Sequence, residues 1–170
     1  VGLITHRSGQ FLHRASTFTS MSTVQQCVSE SIHVPATPAD VFALLSDPSQ
    51  RHRFDGSGMV QSSRGNSTTV ELGSKFGMNM KLGPIPYRMN NTVVEFEPNK
   101  LIAWAHVGGH RWRYEIEPDG DGTLVTESFD WSTAKVPKFL ELMNYPSRNR
   151  QAIVNTLQRL RDMFNDQSNV

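Results

Sequence analysis

The sequence predicts an α+β domain in which a curved antiparallel sheet of about seven strands wraps a long C-terminal helix, with two short helices after the first strand. Three observations carry this expectation. Ile153, Leu157, Leu160 and Phe164 recur at helical spacing, with Arg148, Gln151, Asn155, Gln158, Arg159 and Asp162 on the other sides, so the last helix has one apolar stripe to cover. Residues 59–131 alternate strand-like runs with turn clusters, the pattern of an antiparallel meander. The element order, strand, two helices, six strands, long helix, lacks the strand–helix alternation of a parallel sheet.

The first strand spans residues 24–34, where Val24, Val28, Ile32 and Val34 alternate with Gln25, Ser29, Ser31 and His33. Thr37-Pro38-Ala39-Asp40 then supplies an N-cap, a proline at the first helical position and an acid at the third. A second short helix covers 48–54 and ends at the Gly56-Ser57-Gly58 turn. Strands follow near 59–63, 70–82, 87–97, 101–107, 111–117 and 123–131. The breaks between them carry the Gly, Pro or Asn that turns need. The last helix spans 137–164. If it runs unbroken, Phe139, Leu142, Pro146 and Asn149 share one line, and Pro146 either hinges a lid or starts a separate final helix.

The 170 residues fit one domain over 24–166, with an N-terminal extension over 1–23 and a short tail over 167–170. The first segment has basic and hydroxyl residues and no acid. That composition suits an organellar presequence or an upstream extension, with Met21 opening the protein proper, and the extension is favoured. A net charge of +1 with scattered signs gives no phosphate-neutralising patch, so nucleic acid is not an expected partner. No apolar run approaches the roughly 20 residues of an integral membrane segment. The single cysteine, Cys27, rules out an internal disulfide framework and fits a reducing, cytoplasmic setting; as a strand residue without a neighbouring cation it is a poor nucleophile. None of the six histidines is spaced for a metal site, and no glycine-rich phosphate loop occurs, so neither metal nor other cofactor is expected. The sequons at Asn66 and Asn90 would go unused in the cytoplasm.

Alternation assigns the strand faces. Trp112, Tyr114 and Ile116 fall on one side, opposite Arg111, Arg113, Glu115 and Glu117, so the aromatic side is inward. Phe76, Met78 and Met80 form a second inward set, and methionine adapts to irregular cores and varied apolar ligands alike. A three-residue loop around Gly108-Gly109 would pair Trp104 with Tyr114, Ile102 with Ile116 and His106 with Trp112. The next turn would pair Ile116 with Val125, Tyr114 with Glu127 and Trp112 with Phe129, which brings Glu127 inside. In the strand over 87–97, Asn90, Thr92, Val94 and Phe96 are expected inward, although Val93 favours the opposite register. The interior then holds Asn90, Thr92, His106, Tyr114 and Glu127 among its aromatics. Unpaired, such groups cost on the order of 1 to 3 kcal/mol each, so a hydrated cavity is favoured over a solid core with a Tyr114–Glu127 hydrogen bond.

The run Val34-Pro35-Ala36-Thr37-Pro38-Ala39-Asp40-Val41-Phe42 after the first strand resembles the START-like or SRPBCC superfamily, closest to its polyketide cyclase/dehydrase branch. The segments Val94-Glu95-Phe96-Glu97-Pro98-Asn99-Lys100-Leu101 and Gly122-Thr123-Leu124-Val125-Thr126 carry the same likeness. The resemblance implies a helix-grip fold enclosing a cavity for lipids, sterols, polyketides or similar molecules. Its members range from carriers to aromatase/cyclases and toxins of toxin–antitoxin pairs, and fold alone does not choose among them.

The expected function is therefore binding of an apolar or amphipathic small molecule between sheet and helix, as carrier or sensor. The expected ligand-binding residues are Phe76, Met78, Met80, Asn90, Thr92, Trp104, Trp112, Phe129, Phe139, Met143 and Asn149. An enzyme of the cyclase/dehydrase type is the alternative, with Glu127 as buried acid or base and Tyr114 and His106 polarising a carbonyl. An interaction protein, such as a toxin component, is the third class.

Overall fold

The computed structural model describes residues 26–65 and 69–167. The expected N-terminal extension, the start of the first strand, the sequon at Asn66 and residues 168–170 lie outside them. Seven strands form one antiparallel sheet: β1 (Cys27–Val34), β2 (Val60–Arg64), β3 (Lys75–Leu82), β4 (Ile85–Glu97), β5 (Leu101–His106), β6 (Arg111–Asp119) and β7 (Gly122–Asp130). Their spatial order is β1-β7-β6-β5-β4-β3-β2, a meander closed on one side by the first strand. Helices α1 (Pro38–Leu45) and α2 (Arg51–Phe54), joined by a 3-10 turn at Pro48–Gln50, follow β1; α3 (Pro137–Leu142) and α4 (Tyr145–Gln167) end the described chain.

Local sequence sets these elements as expected in most places. Thr37 Oγ1 accepts from the Asp40 amide at 3.2 Å and donates to the Asp40 carboxylate at 2.7 Å, which satisfies an amide that the helix start leaves unpaired. Asp47 caps the next turn by accepting from the Ser49 amide at 2.8 Å. In α4, Ile153, Thr156, Leu157, Leu160 and Phe164 are buried, and the helix packs chiefly on β1, then on β7 and α2. Arg150 pairs with Glu30 of β1 and fastens the first half of α4 to that edge.

The long helix is not continuous. The chain breaks at Asn144, whose φ of 55° is left-handed, and α4 starts at Tyr145 with Pro146 in its first turn. Asparagine is among the few residues that adopt this conformation readily, and proline suits a helix start because its missing N–H would be unpaired there. Pro146 therefore starts a separate helix, and the line from Phe139 to Asn149 does not form.

Two registers also differ. The β6–β7 pairing is as expected, with Tyr114 opposite Glu127, Trp112 opposite Phe129 and Ile116 opposite Val125. Across β5–β6, however, Trp104 faces Trp112 and Ile102 faces Tyr114, a shift of two residues that preserves the faces. The loop holds three residues but sits one position earlier, closed by His106 and His110. In β4 a bulge between Val93 and Glu95 inserts an extra residue. Before it Asn91 and Val93 are the buried positions, at 4% and 1% exposure; after it Phe96 points inward against Phe42. Asn90 and Thr92 thus lie on the outer face, and Asn90 accepts from Arg64 at 3.3 Å.

Candidate functional site

Buried beneath the inner face of the sheet, Arg51 of α2, Tyr114 of β6 and Glu127 of β7 form one hydrogen-bonded chain. Tyr114 and Glu127 have no exposure and Arg51 has 9%. Arg51 Nη1 donates to the Tyr114 hydroxyl at 2.6 Å, and that hydroxyl donates to Glu127 Oε1. Arg51 Nη2 lies 3.6 Å from the same carboxylate oxygen. Glu127 Oε2 is buried without a protein partner. The guanidinium also lies over the Trp104 ring, 4.7 Å from its centroid, and Trp104 stacks on Tyr114 at 5.5 Å.

This arrangement fixes the charges. Burial drives the Glu127 carboxyl up to about 7, against the opposing pull of Arg51 and the Tyr114 hydrogen bond. Tyr114 is pushed well above its ordinary value, first by burial and then by the Glu127 charge, with Arg51 opposing. For Arg51 burial works against the charge, yet its attraction to Tyr114, Glu127 and Asp55 prevails and holds the pKa above its usual value. Near neutrality the carboxyl is therefore poised between two states, with Arg51 cationic and Tyr114 neutral.

The inner face is covered unevenly along its length. Ile102, Trp104, Tyr114 and Ile116 are buried, whereas His106 and Trp112, nearer the β5–β6 tip, are only half-buried. The same gradient runs from buried Asn91 to half-buried Met89 and Tyr87, and from buried Met78 to half-buried Met80. Because α4 lies over β1 and β7, the inner face of β3–β6 is left open at this end, with Trp104 and the Arg51–Tyr114–Glu127 chain as its floor. Two surface grooves, of about 760 and 470 Å³, lie elsewhere: one between α1 and the end of α4, the other on the outer face around Cys27 and Arg113.

Of the residues expected at the site, Glu127 and Tyr114 are brought into direct contact. His106 is not: its Nδ1 is 3.0 Å from Nε2 of His110 at the open end, and no hydrogen bond joins it to Tyr114 or Glu127. Burial, then His110 and Arg51, lower the His106 pKa to about 3, so it is neutral. Phe76 meets Trp104 edge-on at 5.9 Å, and Phe129 packs between Trp112 and Trp131. Met78 is buried, Met80 and Asn149 are half-buried, and Asn90 and Thr92 face away. Phe139 and Met143 stand exposed in and just after α3, on the rim instead of in an inner wall. Sequence reasoning missed Arg51, Asn91, Met89 and Tyr87. Arg51 could have been found, since it precedes the buried Phe54 by three residues and so shares its inward face.

The family model described as polyketide cyclase/dehydrase and lipid transport matches residues 25–164. The chain belongs to that family. Among solved structures, this family member is similar in fold to the polyketide cyclase-like protein Cgl2372 of Corynebacterium glutamicum, with TM-score 0.59, 21% identity and coverage of 84% of this chain and 93% of that one. Protein NE0264 of Nitrosomonas europaea gives TM-score 0.66 at 14% identity over 86% and 99% of the two chains. In sequence this chain is 38% identical over 142 residues, 81% of its length, to the uncharacterized protein Rv0088 of Mycobacterium tuberculosis. The chain spans 63% of that relative's length. The helix-grip fold of the SRPBCC superfamily is thus established, and among the described residues no helix is long and apolar enough to cross a membrane.

Proposed function

We propose that the protein binds an apolar or amphipathic small molecule against the open inner face of the sheet and serves as its carrier or sensor. The observation that carries this reading is the floor of that face: a buried carboxylate whose Oε2 has no protein partner, beneath half-covered aromatic and methionine side chains. An unpaired buried oxygen calls for a donor, and a ligand hydroxyl, amide or bound water supplies one. Phe76, Met78, Met80, Met89, Trp104 and Trp112 offer the apolar surface, with Met78 and Met80 able to adjust to ligand shape. Family membership supports binding of this class, and the lone cysteine supports cytoplasmic residence. Native mass spectrometry of protein incubated with a lipid extract tests the proposal. One small molecule per chain, lost in Met78→Lys, is expected; a chain that retains no mass from any extract overturns it.

A second reading has its own support. A carboxyl held near 7 with one free oxygen suits an acid or base in enolisation or dehydration, with Arg51 and Tyr114 stabilising its ionised form. His106 would act only at the mouth in such an enzyme. Full turnover of a proven substrate by Glu127→Gln would end this reading.

A further inference from the structure

We propose that the open end of the sheet docks on the surface of a lipid bilayer carrying anionic headgroups. Ten large hydrophobic side chains stand exposed among the described residues, and eight of them belong to three segments of this end. These are the β3–β4 tip, the β5–β6 tip and the stretch around α3, where Leu142 is 84% and Val107 70% exposed. The segments converge. The Lys135 amide donates to the Gly108 carbonyl at 2.9 Å and Thr133 Oγ1 to the Gly109 carbonyl at 2.7 Å, which ties the α3 stretch to the β5–β6 tip. The β3–β4 tip lies at the same end of the sheet, because Asn91 pairs with His106 and β4 runs from there back to Ile85. Such clustering of apolar side chains marks an interaction surface, since monomeric proteins rarely leave large contiguous patches bare.

Charge selects the occupant. Lys81, Arg88, Lys135, Lys138 and Arg148 flank the same end, all exposed, and none of them forms an ion pair among the described residues. Two acids lie there, Glu141, which accepts from Trp131 at 2.9 Å and Gln26 at 3.1 Å, and Asp130, which accepts from the Ser132 amide at 2.8 Å; their donors are neutral, and the five cations outnumber them. An apolar rim within a cationic fringe suits an anionic bilayer, where the side chains reach the acyl boundary and the lysines meet headgroup charge. Self-association through the same surface would oppose cation to cation. The inference goes beyond the ligand reading and rests on it only for purpose, because docking would set the mouth against a source of apolar ligand.

Flotation with phosphatidylcholine vesicles, with and without about a third phosphatidylglycerol, tests this without any ligand. A failure here leaves the ligand reading standing, and an empty chain in mass spectrometry leaves this one standing. The full chain is expected to float with anionic vesicles and to be released by high salt. Phe139→Asp with Leu142→Asp, on a helix that buries no side chain, is expected to weaken binding about tenfold or more, as is Lys135→Glu with Lys138→Glu. Leu72→Asp, exposed at the opposite end, is expected to change nothing. The proposal is overturned if the chain ignores anionic vesicles, if both double variants float like the parent, or if sedimentation shows a dimer that Phe139→Asp abolishes.

Discussion

Among the described residues Tyr114 alone hydrogen-bonds both Arg51 and Glu127, so its hydroxyl holds together a buried pair whose direct approach is 3.6 Å. Tyr114→Phe keeps the ring stacked on Trp104 but strips a partner from each charge, which is expected to cost about 1 to 3 kcal/mol. For a chain of this size that corresponds to a fall in Tm on the order of 5 °C, read by circular dichroism melting. Glu127 and His106 should also leave opposite marks on the pH dependence. The folded pKa of Glu127, about 7, lies above the ordinary carboxyl value of 4.5, so its contribution is full below 4.5 and is lost as pH rises through 7. The folded pKa of His106, about 3, lies below its ordinary 6.5, so its contribution is full above 6.5 and is lost as pH falls toward 3. Between 4.5 and 6.5 the two slopes oppose. Melting profiles should therefore rise more steeply with pH in Glu127→Gln than in the parent, and less steeply in His106→Gln. Parallel profiles for all three would show that neither group is perturbed in this sense.

At the scale of elements, the loop after α2 is strapped to α4 by a contact that admits no side chain. The Gly56 amide donates to Thr156 Oγ1 at 2.8 Å, and a Cβ at Gly56 would lie 2.3 Å from the Thr156 nitrogen and 2.4 Å from the Ala152 carbonyl oxygen. Backbone cannot yield as a flexible side chain can, so Gly56→Ala is expected to destabilise by about 1 to 3 kcal/mol, measured by urea unfolding. Asn144→Val should cost about 1 to 2 kcal/mol at the α3–α4 break, because a β-branched residue resists the left-handed region, whereas Asn144→Gly should be tolerated. These positions also mark where sequence patterns lose their power. β3, β6 and β7 keep unbroken alternation, so the inward placement of Met78, Trp112, Tyr114 and Glu127 was legible. In β4 the adjacent Val93 and Val94 gave no sign of where the extra residue enters, and the faces of Asn90 and Thr92 were reversed. Helical spacing placed Ile153, Leu157, Leu160 and Phe164 correctly, but one αL residue at Asn144 ended the pattern upstream. The Tyr114–Glu127 pairing was therefore legible from the β6–β7 register, although their hydrogen bond belonged to the solid-core alternative that the polar count disfavoured; Arg51 was overlooked because a charged residue on a short helix ordinarily faces water, despite its inward spacing to Phe54.

For the whole molecule, the decisive asymmetry is that the last helix covers one side of the sheet and leaves the inner face of the other side half-covered at one end. The closed end supplies the core, with Val34, Ile116, Val125 and Leu160 all at 2% exposure or less, so global stability does not depend on the open end being filled. An occupant of the open face binds the folded chain and not the unfolded one, and should raise Tm with its concentration. At a hundred times its Kd the gain is about 2.7 kcal/mol, or roughly 5 to 10 °C for a chain of this size. Long-chain alcohols are suitable probes, because their apolar chain can lie along the methionines and their hydroxyl toward the polar floor. Met89→Glu places a charge on the half-covered face without removing buried core, so it should leave the unliganded Tm within about 1 °C of the parent while abolishing the ligand-induced rise. Thermal shift across alcohols of increasing length would measure both quantities. Equal rises in parent and variant would move the binding surface away from this face, and no rise at any length would remove alcohols from its ligand class.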